Sequence, residues 1–316
     1  MKRFAFAFLA LLLLSLPVVA QSQKTVAERL GYPANSRLLI IHADDFGMMH
    51  TVNSAIEEAM EKGWVTSASI MVPCPWFPEV AKWAKAHPDA DLGIHLTLNA
   101  DWTPERWRPI SPQGKDSSLL DKDGYLPLLT EDVAAKAKMS DVQTELHAQI
   151  DQAQAAGIHL SHLDSHMGTL FATPGLMGEY LAVGKAYTLP VMLPREADLG
   201  GKMVTSADML KGMGLTPVPS LLDQVLQITP GVPQSQWLET YKKMLAPLPP
   251  GTYQLIVHLA HNDQEIQGAT YDHPDWGAQW RQNDLDVVSS PEFQKFLKDQ
   301  GFILVTWKQI SKAMQQ

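Results

Sequence analysis

Along this chain, short apolar runs repeatedly end in charged residues and then give way to a stretch with helical spacing. That alternation limits the fold more than any other feature. Residues 38–41 run into the cluster His42, Asp44, Asp45 and Gly47, after which Val52, Ile56, Ala59 and Met60 mark one helical face that stops at Gly63. The same succession predicts strands over 65–72, 91–98, 158–163, 190–193, 253–259 and 302–307. Helical patterns are expected over 52–62, 77–86, 141–156, 176–186, 236–245 and 291–300. About seven strands, most followed by a helix, imply a mainly parallel sheet of an α/β protein, either open with helices on both faces or closed into a barrel. Periodicity does not choose between the two.

Two stretches, 99–140 and 196–235, exceed ordinary loop lengths. Both follow a strand, which places them on the C-terminal rim where sites of such folds are built, and they read as insertions covering a site.

The first residues have another character. Lys2 and Arg3 precede an apolar run over 4–14, with Pro17 and Ala20 beyond it, the pattern of a secretory signal peptide over residues 1–20. The run is shorter than the roughly 20 residues that span a bilayer. The expectation is an exported protein, periplasmic or secreted, without stable membrane insertion. A polar lead-in follows over 21–36, then a single domain over 37–316. Acidic residues outnumber basic ones by 34 to 25, a net charge of -9 that repels phosphate backbones and excludes nucleic acid as a partner. With Cys74 as its one cysteine the chain forms no intramolecular disulfide and no thiol-rich metal site, and Cys74 reads as a buried structural thiol. Any metal must be held by His, Asp or Glu. A homodimer is left open.

In a parallel sheet the C-terminal strand ends share one face, so side chains distant in sequence can converge there. Asp44, Asp45, His95, Asp164, His166, Arg195, His258 and His261 all lie at or just beyond such ends. Two imidazoles and a carboxylate make a facial site for a divalent ion, and Asp45, His95 and His166 are the candidate ligands. The set suits several divalent ions, magnesium and zinc among them. Asp44 is the candidate general base, and His258 in LIVHLAH the candidate general acid, read as an imidazolium at neutral pH. Asp44 and Asp45 are neighbours, so both reach one site only if the chain bends, and Gly47 makes a bend possible. Arg195 is placed to orient Asp44 or to bind substrate. Trp102 and Trp107, like Trp276 and Trp280, lie in rim segments where an indole could stack on a sugar ring or pack in the core. Walker-type, zincin and nucleophile-elbow motifs are absent, and Gly212-Met213-Gly214 runs into Leu215-Thr216-Pro217 and breaks a dinucleotide fingerprint.

Four segments, LIIHADDFGM (39–48), GWVTSASIMV (63–72), LGIHLTL (92–98) and HLDSH (162–166), resemble in order and spacing the YdjC-type carbohydrate deacetylases, which include the diacetylchitobiose deacetylases. The similarity is densest over 38–171 and weaker over 253–307. The resemblance implies a distorted TIM-type barrel, a bound divalent metal and removal of acetyl groups from N-acetylated sugars, with an acetylated glycan or amino sugar as substrate. It matches Asp44 to the family's base, Asp45 to a metal ligand, His95 and His166 to the histidine ligands, and His258 to the general acid. The chain departs from the family at Gly168 and Leu170, where members commonly carry histidines, and in its export signal. A metal-dependent phosphoesterase or other amidase on the same barrel, or a secreted glycan-binding protein without activity, would share much of this pattern.

Overall fold

A computed structural model describes residues 24–112, 114, 117–198, 203–273 and 275–314, so the leader expected over 1–20 lies outside the described residues. Its strands are β1 (Arg37–Phe46), β2 (Ser67–Ile70), β3 (Leu92–Leu96), β4 (Leu160–Ser165), β5 (Glu196–Asp198), β6 (Met203–Thr205), β7 (Gln224–Leu226), β8 (Gly251–His258) and β9 (Phe302–Leu304). The main sheet has the order β4-β3-β2-β1-β8-β7, and β9 pairs with the start of β1. Every pairing in it is parallel. Parallel bridges Leu163↔Val191 and Pro194↔Leu222 carry the curl from β4 towards β7, and β7 pairs with β8, so the pairings return to β1. The result is a distorted parallel barrel.

Side chains alternate along a strand, and β1 divides its apolar residues between two cores. Leu38 and Ile40 face inward with Met192, Leu222, Val305 and Trp307. Leu39, Ile41 and Ala43 face outward, in the larger core that the surrounding helices cover. His42 and Asp44 continue the inward row, so the interior turns from apolar to charged towards the C-terminal end. The lead-in contributes the helix Val26–Arg29, started by a Thr25 and Glu28 capping box, and Ala27 packs into the inner core.

Three expectations change. The stretch 196–235 is more than a covering insertion, because it holds the antiparallel pair β5 and β6 and the strand β7. The last strand stops at Leu304, and Trp307 instead begins the helix Trp307–Met314 and reaches the inner core. The helix Ala278–Ser289 has no counterpart in the apolar pattern, since Arg281, Asn283 and Asp284 stand among its buried residues. Cys74 is buried, as expected. Among the described residues no helix is long and apolar enough to cross a membrane.

Candidate active site

Register brings the first pairs together. Asp44 on β1 stands directly across from His258 on β8, and His95 on β3 across from Asp164 on β4. Opposite residues of neighbouring strands share a face, so all four project inward.

The expected bend falls on Asp45 itself. Its φ is 68°, and the pairing of β1 with β2 shifts register between Ala43 and Phe46. A left-handed conformation costs an ordinary side chain roughly 1–2 kcal/mol, less for Asp, and here it turns the second carboxylate to the same side as the first. Asp45 Oδ1 lies 3.5 Å from His95 Nε2 and 3.4 Å from His166 Nδ1, and makes no hydrogen bond among the described residues. One atom from each of these three buried residues falls within 4.8 Å of the others. Asp44 sits beside them, its Oδ2 3.8 Å from His95 Nε2 and 3.9 Å from His258 Nε2.

Each histidine of the triad is held from behind. His95 Nδ1 donates to Asp164 Oδ1 at 2.6 Å, and His166 Nε2 donates to Asp101 Oδ1 at 2.8 Å. An imidazole anchored by a carboxylate on one nitrogen presents the other as a ligand, the usual support of a metal-binding histidine. The electrostatics agree. Burial disfavours charge on His95, but Asp164, Asp44 and Asp45 outweigh it and raise its pKa. Burial likewise opposes charge on His166, and Asp101 and Asp45 raise it to about 10. A pocket that draws protons onto its histidines so strongly has an excess of negative charge, and an orphaned carboxylate oxygen between two imidazoles fits a divalent cation.

Arg281 and Asp284 carry no signal in the sequence pattern. Arg281, 1% exposed, bonds Asp45 Oδ2 at 2.6 Å and the Trp276 carbonyl oxygen at 2.6 Å. Burial would push the Asp45 pKa up, but Arg281 and His166 hold it well below the usual carboxylate range. Asp284 accepts from Trp237 Nε1, Tyr241 Oη and the backbone N–H of His258, and burial lifts it to about 6. No apolar period marks that helix.

His258 faces Asp44 as expected, but not as a resting imidazolium. Burial pushes it down to about 4, because Asp45 and Asp44 do not offset its desolvation. Trp107 and Trp102 are each 2% exposed, so protein covers their rings. Trp107 meets the His166 ring edge-on at 6.2 Å, and Trp102 lies 5.7 Å from the Arg281 guanidinium. Trp280 is buried against Trp237. Arg195, its side chain 66% exposed, pairs with Asp223 at 2.7 Å rather than with Asp44. His166 opens a tight turn in which Met167 and Gly168 have φ of 52° and 65°, a backbone that favours glycine at 168. Leu170 is fully buried in the outer core.

A YdjC-like protein family model matches residues 38–299. The chain belongs to this family. A carbohydrate deacetylase of Thermus thermophilus is 33% identical over 299 residues, covering 91% of this YdjC-like protein and 98% of the relative. A carbohydrate deacetylase of Brevibacillus brevis is 28% identical over 274 residues, covering 86% and 99%. Among solved structures, a putative cellobiose-phosphate cleavage protein from Enterococcus faecalis superposes with a TM-score of 0.70 at 25% identity, over 86% of this chain and 98% of that one. The match extends through β8 and the helix Ala278–Ser289, beyond the segment where the motifs are densest.

Proposed function

We propose that this YdjC-like protein is an exported, metal-dependent deacetylase that hydrolyses the N-acetyl amide of amino sugars or their oligomers. One observation carries the reading: Asp45, His95 and His166 converge on a point with Asp44 beside it. The relatives' names supply the substrate class.

Asp45 Oδ1, His95 Nε2 and His166 Nδ1 are the atoms that would hold the cation, magnesium or zinc. A cation so held supplies Lewis acidity, acidifying water and stabilising charge on an acyl oxygen. Asp44 Oδ2 takes the proton of the attacking water. His258 Nε2, neutral at rest and 3.9 Å from that oxygen, receives the proton during turnover and delivers it to the amine nitrogen as the C–N bond breaks. Positioned proton transfer of this kind contributes roughly 10² to 10⁴ in rate. Trp107 supports the site by packing on His166, and Arg281 by fixing one oxygen of Asp45 so that the other faces the histidines. The leader over residues 1–20 supports export and a glycan met outside the cytoplasm.

Acetate release from N-acetylglucosamine and chitooligosaccharides tests the reading, with chelator and metal add-back. Release that stops on chelation and returns with a divalent ion is the expected result. Hydrolysis of formylated or phosphorylated sugars alone would replace it. Mass spectrometry of the exported protein should find an N-terminus near Gln21, and a chain retained in the cell with Met1 intact would remove the export claim.

A further inference from the structure

The proposed chemistry leaves His42 without a task, although no side chain is better placed to link its parts. His42 precedes Asp44 by two residues on the inward row of β1 and is 0% exposed. Its Nε2 lies 3.0 Å from Asp164 Oδ2, 3.1 Å from Ser69 Oγ and 3.2 Å from Asp44 Oδ1. A single N–H cannot point at three acceptors. It is aligned with Asp164 and Ser69, while Asp44 Oδ1, buried without a hydrogen bond of its own among the described residues, meets the imidazole through charge. The other oxygen of Asp164 holds His95. One imidazole thus stands between the carboxylate proposed as base and the carboxylate that orients a proposed metal ligand.

We infer that His42 is a positioning residue, tying Asp44 to the Asp164 and His95 pair so that base and metal-binding arm keep one geometry. The inference rests on the deacetylase reading for its catalytic consequence. Burial opposes charge on His42, yet Asp164 and Asp44 outweigh it and raise its pKa to about 10, while its Nδ1 is buried without a hydrogen-bond partner among the described residues. The ring itself is braced. His162 meets it edge-on at 4.9 Å, and Trp307 stacks on His162 at 4.9 Å and 13°. Gly93 clears the space for this column, since a Cβ there would fall 2.4 Å from the His162 ring. A neutral His162, kept so mainly by burial, adds no second charge to the column.

The test compares His42→Leu, which removes donor and charge, with His42→Gln, which keeps an N–H donor near the position of Nε2. Kinetics are measured at saturating metal, metal affinity by calorimetry, and folding by thermal unfolding. His42→Leu should lose about 10²-fold in kcat with KM changed less than about threefold, and should bind metal at least about tenfold more weakly, the range seen for partners of metal ligands. His42→Gln should regain about tenfold of the lost kcat. In metal-free protein, the proton NMR resonance of the His42 Nε2–H should shift in Asp44→Asn. A His42→Leu enzyme with normal kcat at saturating metal would overturn the inference, as would a resonance indifferent to Asp44→Asn. If His42→Leu does not fold, the resonance and His42→Gln decide the matter. If the wild-type protein releases no acetate from any sugar, the deacetylase reading fails, and the resonance with the metal affinities still decides whether His42 ties the two carboxylates.

Discussion

The two halves of the barrel contribute to the site in different ways. From β1 to β4 the side chains proposed to react stand close to the strand ends or just past them: Asp44 and Asp45, then His95, then His166 directly after β4. In the later half one strand residue, His258, faces them, and the remaining support comes from a helix behind it, Arg281 bonding Asp45 and Asp284 bonding the His258 backbone. Strand ends are held by neighbours on both sides and fix an atom closely, as a ligand or a base requires. A covering helix can instead set a buried charge against the back of the site. Changes in the first half should therefore abolish chemistry in a folded protein, and changes in the second should first cost stability.

The largest effect is expected from His95→Ala or His166→Ala. Each removes one of the three proposed ligands, so metal stoichiometry should fall from one per chain to near zero and turnover to background. Elemental analysis of the dialysed proteins, with circular dichroism to establish folding, checks this. A variant that keeps both its metal and its rate would detach that histidine from the site. Asp44→Asn comes next and separates base from ligand. Metal should remain at wild-type stoichiometry while kcat falls roughly 10²- to 10⁴-fold. Deacetylation at the wild-type rate would show that Asp44 is not the base.

Arg281→Met addresses the other half. Arg281 and Asp45 form a buried pair at 2.6 Å, both nearly without solvent contact, and removing one partner strands the other charge. Breaking such a pair typically costs about 3–5 kcal/mol, to be read from urea unfolding of the metal-free protein. Because the penalty belongs to the stranded carboxylate, adding Asp45→Asn should restore most of it, and a double-mutant cycle measures the coupling. Equal unfolding midpoints for Arg281→Met and wild type would mean that the helix merely covers the site.

The same division decides what the sequence discloses. β1, β3 and β4 are legible because each apolar run ends in the very residues that form the site, and strand ends of a parallel sheet must meet on one face. The bend is legible as a need, since adjacent residues point apart, and the structure makes it with left-handed backbone at Asp45 (φ 68°) and again at Gly47 (φ 108°). β7 is hidden because Gln224–Leu226 is too short to form a period and lies in a stretch longer than ordinary loops. The helix Ala278–Ser289 is hidden because its inward residues include Arg281, Asn283 and Asp284, the opposite of an apolar stripe. Nor does any local rule pair Arg281 with Asp45 across 236 positions. The indoles of Trp102 and Trp107 show the same limit, since a tryptophan in a rim segment stacks on ligand or core according to contacts that only the fold supplies.

The smallest effect is expected where the halves meet at the rim. Glu105, in the segment after β3, is pushed up to about 7, chiefly by burial and further by Glu265 of the helix Gln264–Ala269. Glu265 itself accepts the backbone N–H of Thr51 at 2.8 Å. A folded-state pKa above the usual value near 4.3 means that the folded protein binds more protons than the unfolded chain between about pH 4.3 and 7. The contribution of Glu105 to stability is therefore whole below that window and declines as pH rises through it. Glu105→Gln, which cannot ionise, should flatten the decline and gain of the order of 1 kcal/mol at pH 8, a modest figure because solvent screens a partly open group. Urea midpoints of both proteins at pH 5 and pH 8 provide the comparison. Parallel changes in the two would show that the acidic rims do not press on each other through this pair, and the division between the halves would then lie wholly at the base of the site.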